Sequence, residues 1–100
     1  MSNINYILSY NPHATSPQSQ QTHIFISQNR DISTWYLPFP GTYLIKSPQP
    51  LSALNGQFLQ HFGATPFVLS FAPSSYVTGS LPTSIWQWFN DVPNPFLPSN

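Results

Sequence analysis

Residues 33–47 read STWYLPFPGTYLIKS, two short runs of aromatic and β-branched residues either side of Phe39-Pro40-Gly41-Thr42. Proline and glycine occupy the two central positions of a type II turn: proline has its φ already set, and glycine supplies the positive φ that the next position needs. The spacing predicts strands over 33–38 and 42–47, paired antiparallel.

The twelve prolines of the chain punctuate everything around this hairpin, because each fixes its own backbone and removes a hydrogen-bond donor. Upstream, residues 4–10 alternate, with Ile4, Tyr6, Leu8 and Tyr10 on one face and Asn5, Ile7 and Ser9 on the other. That is a strand, ended by Asn11-Pro12. Ser16-Pro17 is placed like a helix cap followed by its first residue, which predicts a short helix over 18–29. The β-branched Ile24-Phe25-Ile26 pulls the same stretch toward strand. Downstream, Leu51, Leu54, Phe58, Leu59 and Phe62 recur at helical spacing, with Ser52, Asn55, Gln57, Gln60 and His61 opposite. Ser47-Pro48 or Gln49-Pro50 starts this helix and Gly63 caps it. Residues 67–71 form a strand between prolines, 74–81 a loop, and Pro82 opens a last short helix in which Ile85, Trp86, Phe89 and Val92 share a face. The expected class is α+β: a ferredoxin-like βαββαβ antiparallel sheet with helices on one face and a short C-terminal helix. The domain is expected over 1–92, with a proline-rich tail over 93–100.

Composition restricts function before any motif does. Of 100 residues, 4% are charged, against about 25% in ordinary soluble proteins. Arg30 and Lys46 are the only strong cations, so the counterion release that drives backbone binding to nucleic acid is nearly missing. Without cysteine there is no disulfide framework, thiolate metal site or cysteine nucleophile. No run of about 18 apolar residues can span a membrane, and residues 1–10 lack the basic and apolar regions of a secretory signal. The expected compartment is the cytoplasm.

Several stretches together resemble the SinR-like family, small proteins related in fold to the small subunit of CRISPR adaptation complexes. They are Tyr6-Ile7-Leu8-Ser9-Tyr10-Asn11, Trp35-Tyr36-Leu37, Thr42-Tyr43-Leu44-Ile45-Lys46-Ser47, the helix from Leu51, and Leu81-Pro82-Thr83-Ser84-Ile85-Trp86-Gln87-Trp88. The resemblance runs from about Asn5 to Asn90. It implies a ferredoxin-like fold and a homodimer. For the related CRISPR subunits it also implies a metal site on an aspartate after the tyrosine that ends the first strand. Here that position is Asn11, a neutral amide and a poor ligand for a hard cation.

No other constellation replaces it. Asp31, ahead of the second strand, and Asp91, at the end of the last helix, are not placed as a catalytic pair. His13, His23 and His61 have no short metal-binding spacing, and as solvated imidazoles they need no further role. No Gly-x-Ser-x-Gly elbow or phosphate loop is present. No catalytic residue, metal ligand or cofactor is therefore assigned. The aromatics on strands, Tyr6, Tyr10, Trp35, Tyr43, Phe67 and Phe71, together with Trp88, are read as core or subunit-interface residues. Stacking single-stranded bases is the lesser reading, for want of a basic groove. Apolar residues on both sides of the strands suggest an open sheet face that a second copy covers. The expectation is thus a non-enzymatic module that forms a dimer or larger homo-oligomer, or binds a protein partner. A degenerate metal- or histidine-dependent nuclease or nucleic-acid-binding protein is the alternative.

Overall fold

Gly41 takes φ +87°, as the turn requires, and joins β2 (Thr34–Phe39) to β3 (Thr42–Ser47). The glycine is obligatory for a second reason. A Cβ there would lie 2.7 Å from the Tyr10 carbonyl oxygen and 2.9 Å from Pro12 Cδ. Gly41→Ala is therefore expected to cost about 1–3 kcal/mol through combined backbone strain and overlap, measured as a lower urea midpoint.

The computed structural model describes residues 3–73, 79–80 and 82–90. Asp91, Val92, the tail over 93–100, residues 74–78 of the expected loop and Leu81 lie outside the described residues. The remaining elements are β1 (Ile4–Tyr10), α1 (Ser19–Ser27), α2 (Leu51–Phe62), β4 (Phe67–Phe71) and α3 (Thr83–Asn90). The protein is α+β, with one four-stranded antiparallel sheet in the order β2-β3-β1-β4 and three helices.

Alternation along β1 divides two cores. Tyr6 and Leu8, with Tyr43 and Ile45 of β3, meet Ile26 of α1 and Leu54, Phe58 and Phe62 of α2, all buried. Periodicity of 3.6 places those three α2 residues on one stripe. Leu59 falls beside the stripe and is 52% exposed, so the apolar face expected from sequence is one residue too wide. His61, expected in solvent, is half-buried instead. Gly63 ends α2 with φ +59° and its N–H donates to the Leu59 carbonyl.

Residues 19–27 are helix, which decides between the two readings of Ile24-Phe25-Ile26. The helix starts later than the Ser16-Pro17 signal suggests. Gln18 is the extended N-cap residue, and its N–H donates to Gln21 Oε1 at 2.8 Å, one half of a capping box.

On the opposite sheet face, Ile7, Leu44 and Ala72 pack with Ile85 and Trp88 of α3, and Trp86 lies against them. The buried pair on α3 is thus Ile85 with Trp88, three residues apart. Lys46 is buried here as well. Its Nζ donates to the Trp88 carbonyl, in the electronegative last turn of α3, and sits 4.4 Å from the centre of the Trp88 ring. Trp88 Nε1 donates to Thr34 Oγ1 at 3.3 Å, and its ring meets Tyr36 edge-on. The second face, expected to be open for a partner sheet, is therefore covered over β3 and β1 by the chain's own last helix.

Candidate functional site

Several of the polar residues singled out from sequence have local partners. Asn11 Oδ1 accepts the His13 N–H at 2.9 Å, a turn in which the amide caps backbone. The Asp31 carboxylate accepts from Gln49 Nε2 at 3.2 Å and Gln57 Nε2 at 2.7 Å. Its own N–H donates to Asn29 Oδ1, while Asn29 Nδ2 donates to Gln57 Oε1. Asp31 thus fastens the loop before β2 to α2. Lys46 is sequestered under α3, which leaves Arg30 as the exposed strong cation among the described residues.

His61 Nε2 hydrogen-bonds Thr22 Oγ1 at 2.9 Å, and its ring stacks on Phe25 with centroids 4.3 Å apart. Burial lowers its pKa, because an imidazolium is costly away from water. With the folded-state value below the unfolded one, His61 favours folding fully above the unfolded pKa, and that contribution fades as pH falls through the folded one. Stability is expected to decline on acidification below about pH 6.5. His61→Gln should flatten this slope in urea titrations across pH 5–8.

A second polar cluster lies where α1 faces the hairpin. His23 Nδ1 and Tyr43 Oη are 2.9 Å apart, and the His23 ring meets Trp35 edge-on with centroids 5.0 Å apart. Tyr10 stacks on Tyr43 with ring centroids 6.3 Å apart. Burial raises both phenols. Tyr43 is pushed up to about 12, first by burial and then by Tyr10 beside it.

The seven aromatic interface candidates separate sharply. Tyr6 and Tyr43 are inaccessible, and Trp88, on α3 itself, is buried against the second sheet face; these have almost no surface to give a partner. Tyr10, Trp35 and Phe67 are half-buried against the main core. Phe71 is 48% exposed, although its ring stacks on Tyr6. It belongs to a different feature, the outer edge of β4.

That edge has a definite chemistry. β1 and β4 pair with Tyr6 opposite Phe71, Leu8 opposite Leu69 and Tyr10 opposite Phe67. The Ala72 N–H donates to the Asn5 carbonyl at 2.8 Å, so in this antiparallel ladder the hydrogen-bonded pairs are Asn5/Ala72, Ile7/Ser70 and Ser9/Val68. On the other side of β1, the Tyr10 N–H donates to the Gly41 carbonyl, giving the same parity. Consequently the N–H and C=O groups of Phe67, Leu69 and Phe71 point away from the sheet. Among the described residues no strand pairs with them.

No family model, curated protein or solved structure matches this chain. The β4 edge therefore has to be judged on its own physics. Sheet edges are normally blunted by charge, proline or a bulge. The opposite edge, β2, contains Pro38 and a register irregularity between Tyr36 and Phe39. Residues 67–71 contain neither proline nor charge, Pro66 and Pro73 only flanking them. Val68 is 63% exposed and Phe71, at the end of the same strand, 48%. Aromatic side chains are legible in the sequence, whereas the orientation of the edge backbone follows only from the register. Among the described residues, no helix is long and apolar enough to cross a membrane.

Proposed function

We propose that this chain is a small cytoplasmic module that acts by self-association rather than catalysis, with β4 pairing antiparallel to β4 of a second copy. The observation that carries this is the outward row of backbone donors and acceptors at Phe67, Leu69 and Phe71. A two-fold axis through Leu69 sets Phe67 against Phe71 of the partner subunit and closes about six backbone hydrogen bonds. Val68 and Phe71 then gain apolar cover on either side of the seam. With a formal net charge of zero, little long-range repulsion opposes contact. A seam of five residues is small beside ordinary stable interfaces, so the dimer is reversible and concentration-dependent. Pro38 and the irregular register of β2 oppose further growth at the other edge.

The connection βαββαβ, with the sheet order β2-β3-β1-β4, supports reading the fold as ferredoxin-like, and the likeness to SinR-like proteins is one of this element order. Light scattering on eluted protein across a hundredfold concentration range tests the function. A mass rising from one chain to two is expected, and a constant single-chain mass contradicts it.

A further inference from the structure

The sheet separates two cores of unequal size. On the side of α1 and α2 nine residues are buried together, whereas on the other side Leu44 and Ala72 are closed off by Ile85 and Trp88 of α3. All four strands precede α3 in the chain and pair among themselves, so lifting α3 breaks no ladder bond and leaves the main core intact. At eight residues the helix is too short to persist in water alone. It is held by the face it covers.

That face includes the chain's sole lysine. Lys46 is 3% exposed, and burying an ammonium is costly unless it is hydrogen-bonded. α3 supplies the Trp88 carbonyl as acceptor and the Trp88 ring at 4.4 Å from Nζ. When α3 lifts, those contacts are exchanged for hydration of the ammonium, which offsets part of their loss. The main core has no such return, because its cluster holds no charged side chain. The two halves of the fold therefore open at different cost.

We infer that α3 opens as a unit while the main core stays folded, and that Lys46 is an acylation site exposed by this opening. In the open form the lone pair of the neutral Nζ amine attacks the carbonyl carbon of an activated acyl ester. A C–N bond forms, the bond from that carbon to the ester oxygen breaks, the leaving oxygen takes the bonding pair, and the nitrogen gives up a proton to solvent. The resulting amide has lost the charge that faces the Trp88 ring and has added an acyl group to a side chain already enclosed. α3 cannot close over it, and Ile7, Leu44 and Ala72 stay uncovered.

The test is acylation of the wild-type full chain by N-hydroxysuccinimidyl acetate in dilute solution, where β4 pairing plays no part. The adduct at Lys46 is quantified by peptide mass, with free Nα-acetyl-lysine as the accessible reference. Lys46 is expected to react about a hundredfold or more slower than the reference, at a rate that barely changes in low urea and joins the global unfolding curve only near its midpoint. Ile85→Ser, which loosens α3 and lies outside the main core, should raise the rate about tenfold or more. After acylation, hydrogen exchange should speed up at α3 amides while Ile26, Leu54 and Phe58 keep their protection. Four results would each overturn the inference: reaction at the reference rate, a rate that follows global unfolding at every urea concentration, a rate unmoved by Ile85→Ser, or an acylated chain in which α3 stays protected.

Discussion

Leu69→Pro is expected to convert the proposed dimer into a folded monomer. The Leu69 N–H points away from β1, as the hydrogen bond from Ala72 to Asn5 and the register require, so proline removes no ladder bond within the chain. It does remove the central donor of the proposed seam and puts a ring in the path of the partner strand. One residue earlier the outcome reverses. Val68 donates inward to β1, and Val68→Pro should break the ladder and lower stability by about 3 kcal/mol or more. The two neighbouring prolines differ in which way the replaced backbone N–H points, outward at Leu69 and into the β1 ladder at Val68. Val68→Lys, at an exposed side chain, supplies a gentler control. It should weaken association through charge repulsion across the seam while leaving the monomer stable. Elution mass and circular dichroism, taken together on the three variants, separate loss of pairing from loss of fold.

Phe58→Ala is the largest expected effect on the monomer, about 3–5 kcal/mol. Phe58 is inaccessible at the centre of the main core, with the Phe25 ring edge-on at 5.5 Å and Phe62 and Phe67 at 6.2 Å. A chain of this length has about 5–15 kcal/mol of stability in total, so this substitution removes much of it. The neighbouring Leu59→Ala, on the exposed flank of the same helix, should change monomer stability by no more than about 0.5 kcal/mol. Urea unfolding at concentrations where the protein is monomeric gives both numbers free of any contribution from association.

That contrast also marks how far the sequence could be read. The strands at 4–10, 42–47 and 67–71 and the helix from Leu51 follow from alternation, periodicity and proline punctuation, which are local properties. The same periodicity puts Leu59 on the apolar face and His61 in solvent, because a helix flank is neither core nor solvent until the neighbouring helix is positioned. His61 is half-buried only because α1 brings Thr22 and Phe25 to it. Nor does any local pattern announce that α3 folds across the second sheet face, where Lys46 and Thr34 hold Trp88. The site was less legible than the fold. Tyr6 and Tyr43 are aromatic on strands, as a stacking or interface residue would be, yet the sheet turns them into the core. The β4 edge was invisible for the opposite reason, since its functional groups are backbone and every sequence possesses them.

The scarcity of charge has a structural consequence too. Of four charged side chains, Asp31 is engaged by two glutamines and Lys46 is buried under α3. The sequence of β4, residues 67–71, carries none of them, where a single lysine would suffice to close the edge.

Hydrogen exchange at individual amides of β4 tests the central claim most directly, because it reads the groups that pair. Val68 and Ser70 should be protected at every protein concentration, through β1. Phe67, Leu69 and Phe71 should exchange freely in dilute protein and gain protection as concentration rises, in step with the dimer mass. Exchange at these three amides that is independent of concentration would contradict pairing through this edge.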